Sequence, residues 1–118
     1  MSANIAATEP EWRPQALRFP PQSSDSEFDW NLVGRHTLGY AGPFSFNESV
    51  PVTKTHGQII HGPLTVASTP YLEGEILARD YVVKKQDGVT YLYLYARGVV
   101  ASGVPLVTEL VWDRIAKE

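Results

Sequence analysis

The chain contains no cysteine. Disulfide stapling, thiolate nucleophiles, cysteine-bound zinc and iron–sulfur clusters are therefore excluded. It also lacks any apolar run near the roughly 18 to 20 residues that a membrane helix needs, so no membrane partner is expected. Met1-Ser2-Ala3-Asn4-Ile5-Ala6-Ala7 has no positive region and too short an apolar stretch for a secretory signal, which makes a cytoplasmic protein the expectation. Clustered positive charge is missing too. Ten Lys and Arg stand scattered against thirteen Asp and Glu, for a net charge of −3. Nucleic acid, which favours a basic face, is not an expected partner. No Gly-rich phosphate loop, Gly-x-Ser-x-Gly elbow or dinucleotide fingerprint occurs, and no cofactor is expected. Helical periodicity nowhere extends beyond about two turns.

What remains, over 118 residues, is material for one domain with one core. Residues 1–28 stand apart: they hold four of the nine prolines and no glycine. Gln22-Ser23-Ser24-Asp25-Ser26-Glu27 reads as a solvated linker. Trp12, Leu17 and Phe19 are unusual in a disordered tail. The expectation is an extended N-terminal arm over 1–28, lying on the domain surface or on a partner subunit, followed by a β-domain over 29–118.

Regular structure is expected to begin at Trp30, with Trp30, Leu32, Gly34, His36, Leu38 and Tyr40 on one strand face. Phe44-Ser45-Phe46, His56 to Ser68, 73–85, 89–101 and 104–115 follow as further strands, Pro63 marking an edge or bulge. Asp87-Gly88 predicts a two-residue hairpin of type I′. Ser102-Gly103 is a weaker signal for a second. Short strands joined by tight turns predict an all-β fold, a small antiparallel up-and-down β-barrel with an extended N-terminal segment.

The most informative stretch is Tyr91-Leu92-Tyr93-Leu94-Tyr95-Ala96-Arg97. Alternation puts Tyr91, Tyr93, Tyr95 and Arg97 on one face and Leu92, Leu94 and Ala96 on the other. With two-residue turns on both sides, Arg79 and Glu109 flank Ala96 in one row. Their Cα atoms would then lie about 10 Å apart, within reach of two long side chains. That face also holds Leu77, Tyr81, Val83 and Val107, where a charge must be paired. The pair reads either as an acid/base and oxyanion-stabilising device or as an outward salt bridge. On the opposite face Tyr93 and Trp112 share a row. Tyr91, Tyr93, Tyr95, Arg97 and Trp112 could grip a flat ligand, or could stabilise an outer sheet face. Only one of the two faces can point inward, and the sequence leaves both open.

His36, His56 and His61 could move protons near neutral pH. Their spacings of 20 and 5 residues match no ligand pattern, and no metal site is expected.

Leu32-Val33-Gly34-Arg35-His36-Thr37-Leu38 resembles the opening strand of lipocalin-like (calycin) domains, where Gly-x-Trp is usual. Gly57-Gln58-Ile59-Ile60-His61, Ala67-Ser68-Thr69-Pro70-Tyr71-Leu72-Glu73-Gly74 and Ala78-Arg79-Asp80-Tyr81 resemble a fungal lipocalin-like subgroup, and Leu110-Val111-Trp112-Asp113-Arg114 is similar to its closing strand. Together these cover about residues 30–116. His36 stands where the tryptophan of a Trp–Arg closure with Arg114 would be. The chain is shorter than a full eight-stranded lipocalin, so the barrel is expected to be smaller or to be completed by a second subunit. The resemblance implies a central apolar pocket. It also implies an association with natural-product pathways, where similar proteins include cofactor-free cyclases and isomerases.

The functional expectation is a cofactor-independent cyclase or isomerase acting on a hydrophobic polyketide- or terpenoid-like molecule. Arg79 or Arg97 would stabilise an oxyanion, and Glu109 or His61 would move a proton. His36, Tyr40, Tyr81, Tyr93, Tyr95 and Trp112 would shape the substrate cavity. The rival readings are a non-catalytic carrier of a small hydrophobic ligand and an interaction module with an exposed aromatic face. Aromatic and aliphatic faces on the same strands also make a homodimer an expectation.

Overall fold

Among its described residues the computed structural model has eight strands and one helix. It describes residues 1–99 and 105–114, and the side chains of 1–96 and 107–114. In chain order the elements are β1 (Ser2–Ala6), α1 (Glu27–Arg35), β2 (Thr37–Ala41), β3 (Phe44–Phe46), β4 (His56–His61), β5 (Val66–Ala67), β6 (Leu77–Gln86), β7 (Val89–Val99) and β8 (Pro105–Asp113). Pro10–Trp12 and Pro70–Leu72 form 3₁₀ turns. Among the described residues no helix is long and apolar enough to cross a membrane.

The strands form an antiparallel three-stranded sheet, β1-β2-β5, and an antiparallel five-stranded sheet, β3-β4-β6-β7-β8. The two sheets share a bend. β2 runs into β3 through Gly42-Pro43, and opposite it β4 runs into β5 through Gly62-Pro63-Leu64-Thr65. Between the Phe44–His61 pair and the Ala41–Val66 pair, one side advances three positions and the other five. The two extra residues bend the sheet as a bulge does, which agrees with the break expected at Pro63. Gly62 sits at φ 122°, and a Cβ there would lie 2.5 Å from the Glu75 carbonyl oxygen. Only glycine fits that corner.

Three sequence expectations change. Residues 27–35 are helical, where a strand was expected from Trp30. Ser26 caps α1, its hydroxyl accepting from the Asp29 N–H at 3.3 Å. Glu27 and Asp29 lie in the first turn and Arg35 in the last, each matching the helix dipole. The strand begins only at Thr37. Over so short a stretch the apolar residues satisfy both periods, and the cap decides.

The second change is the β7–β8 register. β6 and β7 pair as expected, Asp80 with Tyr95 and Val82 with Tyr93. Their turn residues Asp87 and Gly88 have φ of 50° and 78°, as a type I′ turn requires. Across β7 and β8, however, Glu109 pairs with Tyr95 and Trp112 with Leu92. The connection is 100–104, an odd number of residues instead of two, so β8 slips by one position. Such a slip turns every β8 side chain to the other face. The Ser102-Gly103 turn itself lies outside the described residues.

The third concerns closure. Among the described residues nothing pairs with the outer edge of β8 or of β1, and the sheets remain an open trough. Its deepest part is a cluster of Ala3, Tyr40 and Leu64, with Leu38, Ala67, Leu72 and Leu77 packed against it.

Candidate functional site

Register settles which face lines the trough. Ladder partners point the same way, so Ile59 and Arg79, His61 and Leu77, Tyr81 and Leu94, and Leu92 and Trp112 all share one face. Leu94 (3 % exposed), His61 (4 %) and Tyr81 (6 %) are its buried members. The aliphatic face of β7 is therefore the inner one and the phenol face the outer one. A hollow of about 340 Å³ opens over the inner face. Phe44, Ile59, His61, Leu92, Leu94 and Trp112 line it, together with Met1 and Ser2.

His61 is the chemical centre of this hollow. It ends β4, just before the Gly62 corner. Its Nδ1 is buried and has no hydrogen-bond partner. Loss of water holds its pKa below the ordinary imidazole value, and the positive charges of Arg79 and the N-terminal amine push the same way. The ring is thus neutral at neutral pH. The Tyr40 ring lies 6.3 Å from it, centroid to centroid.

Arg79 is the diagonal neighbour of His61 across β4 and β6. One Nη donates to the Ala78 carbonyl at 2.9 Å, while Nε is buried without a partner. A buried donor left unpaired costs about 1–3 kcal/mol, more when charged. Two such atoms lie on one wall of the sheet.

The other expected residues separate. Glu109 is exposed and faces outward beside Tyr95, so it does not meet Arg79 over Ala96. The β8 slip is the reason. Tyr93 and Tyr95 are on the outer face as well. Lys84 Nζ stands 4.8 Å from the Tyr93 ring centroid. The Tyr95 pKa is raised by loss of water and by its hydrogen bond to the Glu109 carboxylate. Trp112, expected beside Tyr93, instead joins the hollow. Tyr81 is on the inner face, but its hydroxyl is taken, donating to the Thr53 carbonyl at 2.7 Å. Its ring covers Gly57, where a Cβ would come within 2.7 Å of it.

His36 lies elsewhere. It caps the C-terminal end of α1, with Nδ1 2.7 Å from the Leu32 carbonyl oxygen, and it stacks on Trp12 at 4.3 Å. These two rings border a separate hollow of about 240 Å³. The side chain of Arg97 lies outside the described residues. Among the described residues no group of three His, Asp or Glu could hold a metal ion.

Sequence reasoning did not single out Phe44, Ile59, Leu92 and Leu94 as lining residues. Their signal was present: Ile59 and His61 share parity on β4, as Leu92 and Leu94 do on β7.

No curated protein and no solved structure matches the chain. The model of one family, described as a lipocalin-like domain, matches residues 1–115. An antiparallel sheet curved around an apolar hollow is the architecture such a domain builds, and this chain belongs to the lipocalin-like domain family.

Proposed function

We propose that the chain binds a small hydrophobic molecule carrying a carbonyl or similar oxygen, and acts on it as a cofactor-independent cyclase or isomerase. The observation that carries this reading is the buried His61, with its unpartnered Nδ1, in the wall of a largely apolar hollow and diagonal on the sheet to Arg79. The lipocalin-like family supports the coarser half, binding of a small hydrophobic ligand. Sequence likeness to a fungal lipocalin-like subgroup associated with natural-product pathways supports the finer half.

In this mechanism a folded hydroxy-enone fills the hollow. Neutral His61 takes the hydroxyl proton as that oxygen attacks the β-carbon of the enone. Charge develops on the carbonyl oxygen, where the Arg79 guanidinium holds it. The proton then returns from His61 to the α-carbon. No atom is gained or lost, so no cofactor is called for. Positioning in one conformer contributes several kcal/mol.

Binding is read by quenching of tryptophan fluorescence and turnover by product analysis, using synthetic hydroxy-enones. His61→Gln should retain affinity within a few-fold and lose turnover by about 10²-fold or more. Arg79→Gln should weaken both. Tight binding without turnover by the unaltered protein would sink the catalytic half and leave a carrier.

A further inference from the structure

We propose that a second copy of this chain docks along the free edge of β8 and over the open side of the trough, completing the wall of the hollow. Size is the first argument. The chain exposes 9016 Å², whereas a folded monomer of 13.1 kDa is expected to expose about 6,400 Å². The radius of gyration is 17.2 Å, against about 13.5 Å for a compact domain of this length. The excess of about 2,600 Å² is of the order that each partner of a large obligate dimer buries, and well above the roughly 800 Å² per partner of a standard interface.

The edge itself is the second argument. Hydrogen-bonded pairs alternate along an antiparallel ladder. The Arg114 N–H donates to the Thr90 carbonyl at 2.9 Å, so even-numbered β8 residues turn their amides to β7. Val107, Glu109, Val111 and Asp113 turn theirs to the open side. Natural edge strands are shielded by charged side chains, lysine above all, by internal proline or by brevity. β8 has nine residues, its proline is at its first position, and its charges are Glu109 and Asp113, with no lysine. Val107 (55 % exposed), Val111 (48 %) and Trp112 (40 %) remain in solvent along it, and Phe44 (55 %) faces the same opening from β3.

A net charge of −3 opposes self-association only weakly. The inference does not depend on the ligand or on catalysis, since it rests on area and edge geometry alone.

The test is sedimentation velocity with light scattering on the full chain at micromolar concentration. Twice 13.1 kDa is expected, falling towards the monomer on dilution. Val111→Lys places a charge on the edge, and Val111→Pro deletes one outward amide. Val111 does not line the hollow. Each variant should halve the mass while circular dichroism retains the strand signal, and the lysine variant decides the matter if the proline variant fails to fold. An unaltered chain that sediments as a monomer overturns the proposal. Protection of the β8 amides from exchange in that monomer would show that β1 closes the barrel instead. A dimer that neither variant affects overturns it equally.

Discussion

At the residue scale, His61 and Gly57 make opposite demands on the same wall. His61 is a polar group buried with Nδ1 unsatisfied. Its folded pKa lies below the ordinary 6.5, so the unfolded chain binds the proton more readily than the native one. Its contribution to stability is therefore fully present above about pH 6.5 and is lost as pH falls through the folded value. Urea midpoints of the protein should drop over that window, and His61→Phe should flatten the drop. Gly57 is there because the Tyr81 ring occupies the space of its side chain. That ring cannot swing away, being buried and tied to Thr53 through its hydroxyl. Gly57→Ala should destabilise by about 1–3 kcal/mol, the range for overpacking, measured by urea unfolding. On the outer face Tyr95 has its pKa raised above 10.0, with Glu109 as a hydrogen-bond partner. The neutral phenol is favoured by the fold, so this contribution holds below pH 10 and fades as pH rises further. Glu109→Gln should make Tyr95 ionise earlier in a tyrosinate absorbance titration. An unchanged titration would mean that the pair does not form.

At the scale of elements, the turns decide more than the strands do. β6 and β7 carry alternating patterns that tolerate several registers, and Asp87-Gly88 selects one by having both residues at positive φ. No neighbour lies within 4 Å of a Cβ at Gly88, so Gly88→Ala isolates backbone strain. It should cost about 1–2 kcal/mol by thermal or urea unfolding. That turn was legible in the sequence because its chemistry is local. The β7–β8 turn was not, because Ser102-Gly103 is compatible with loops of either parity. A slip of one register position there carried Glu109 outward and Trp112 inward. α1 was missed for a similar reason. Phe28, Trp30 and Leu32 alternate as a strand face does, while Phe28–Leu32 and Trp30–Val33 are spaced as helix neighbours, and the signal that separated them was the Ser26 cap with its acidic first turn.

At the scale of the whole molecule, the trough is too open for its mass. Residues such as Phe44 and Trp112 stand half in water over a wall whose buried side holds His61, Leu94 and Tyr81. A second copy along β8 would enclose them, and Val111→Lys, which should halve the sedimenting mass, addresses this level alone. His61→Gln addresses the chemistry. Failure of either leaves the other standing.

The amino-acid order alone determined the strand periodicity, the β6–β7 hairpin, the absence of thiol chemistry and the resemblance to lipocalin-like domains, the part of it that the family match bears out. Those features arise from side-chain alternation and from turn geometry within a few residues, which neighbours in sequence dictate. Which face of β7 turns inward, that His61 stands diagonal to Arg79, and that Glu109 leaves the Arg79 row were decided only in three dimensions. Facing parity depends on the loop length between strands and on the bend at Gly62. Both act through hydrogen-bond pairing with distant segments, whose effect no local pattern encodes.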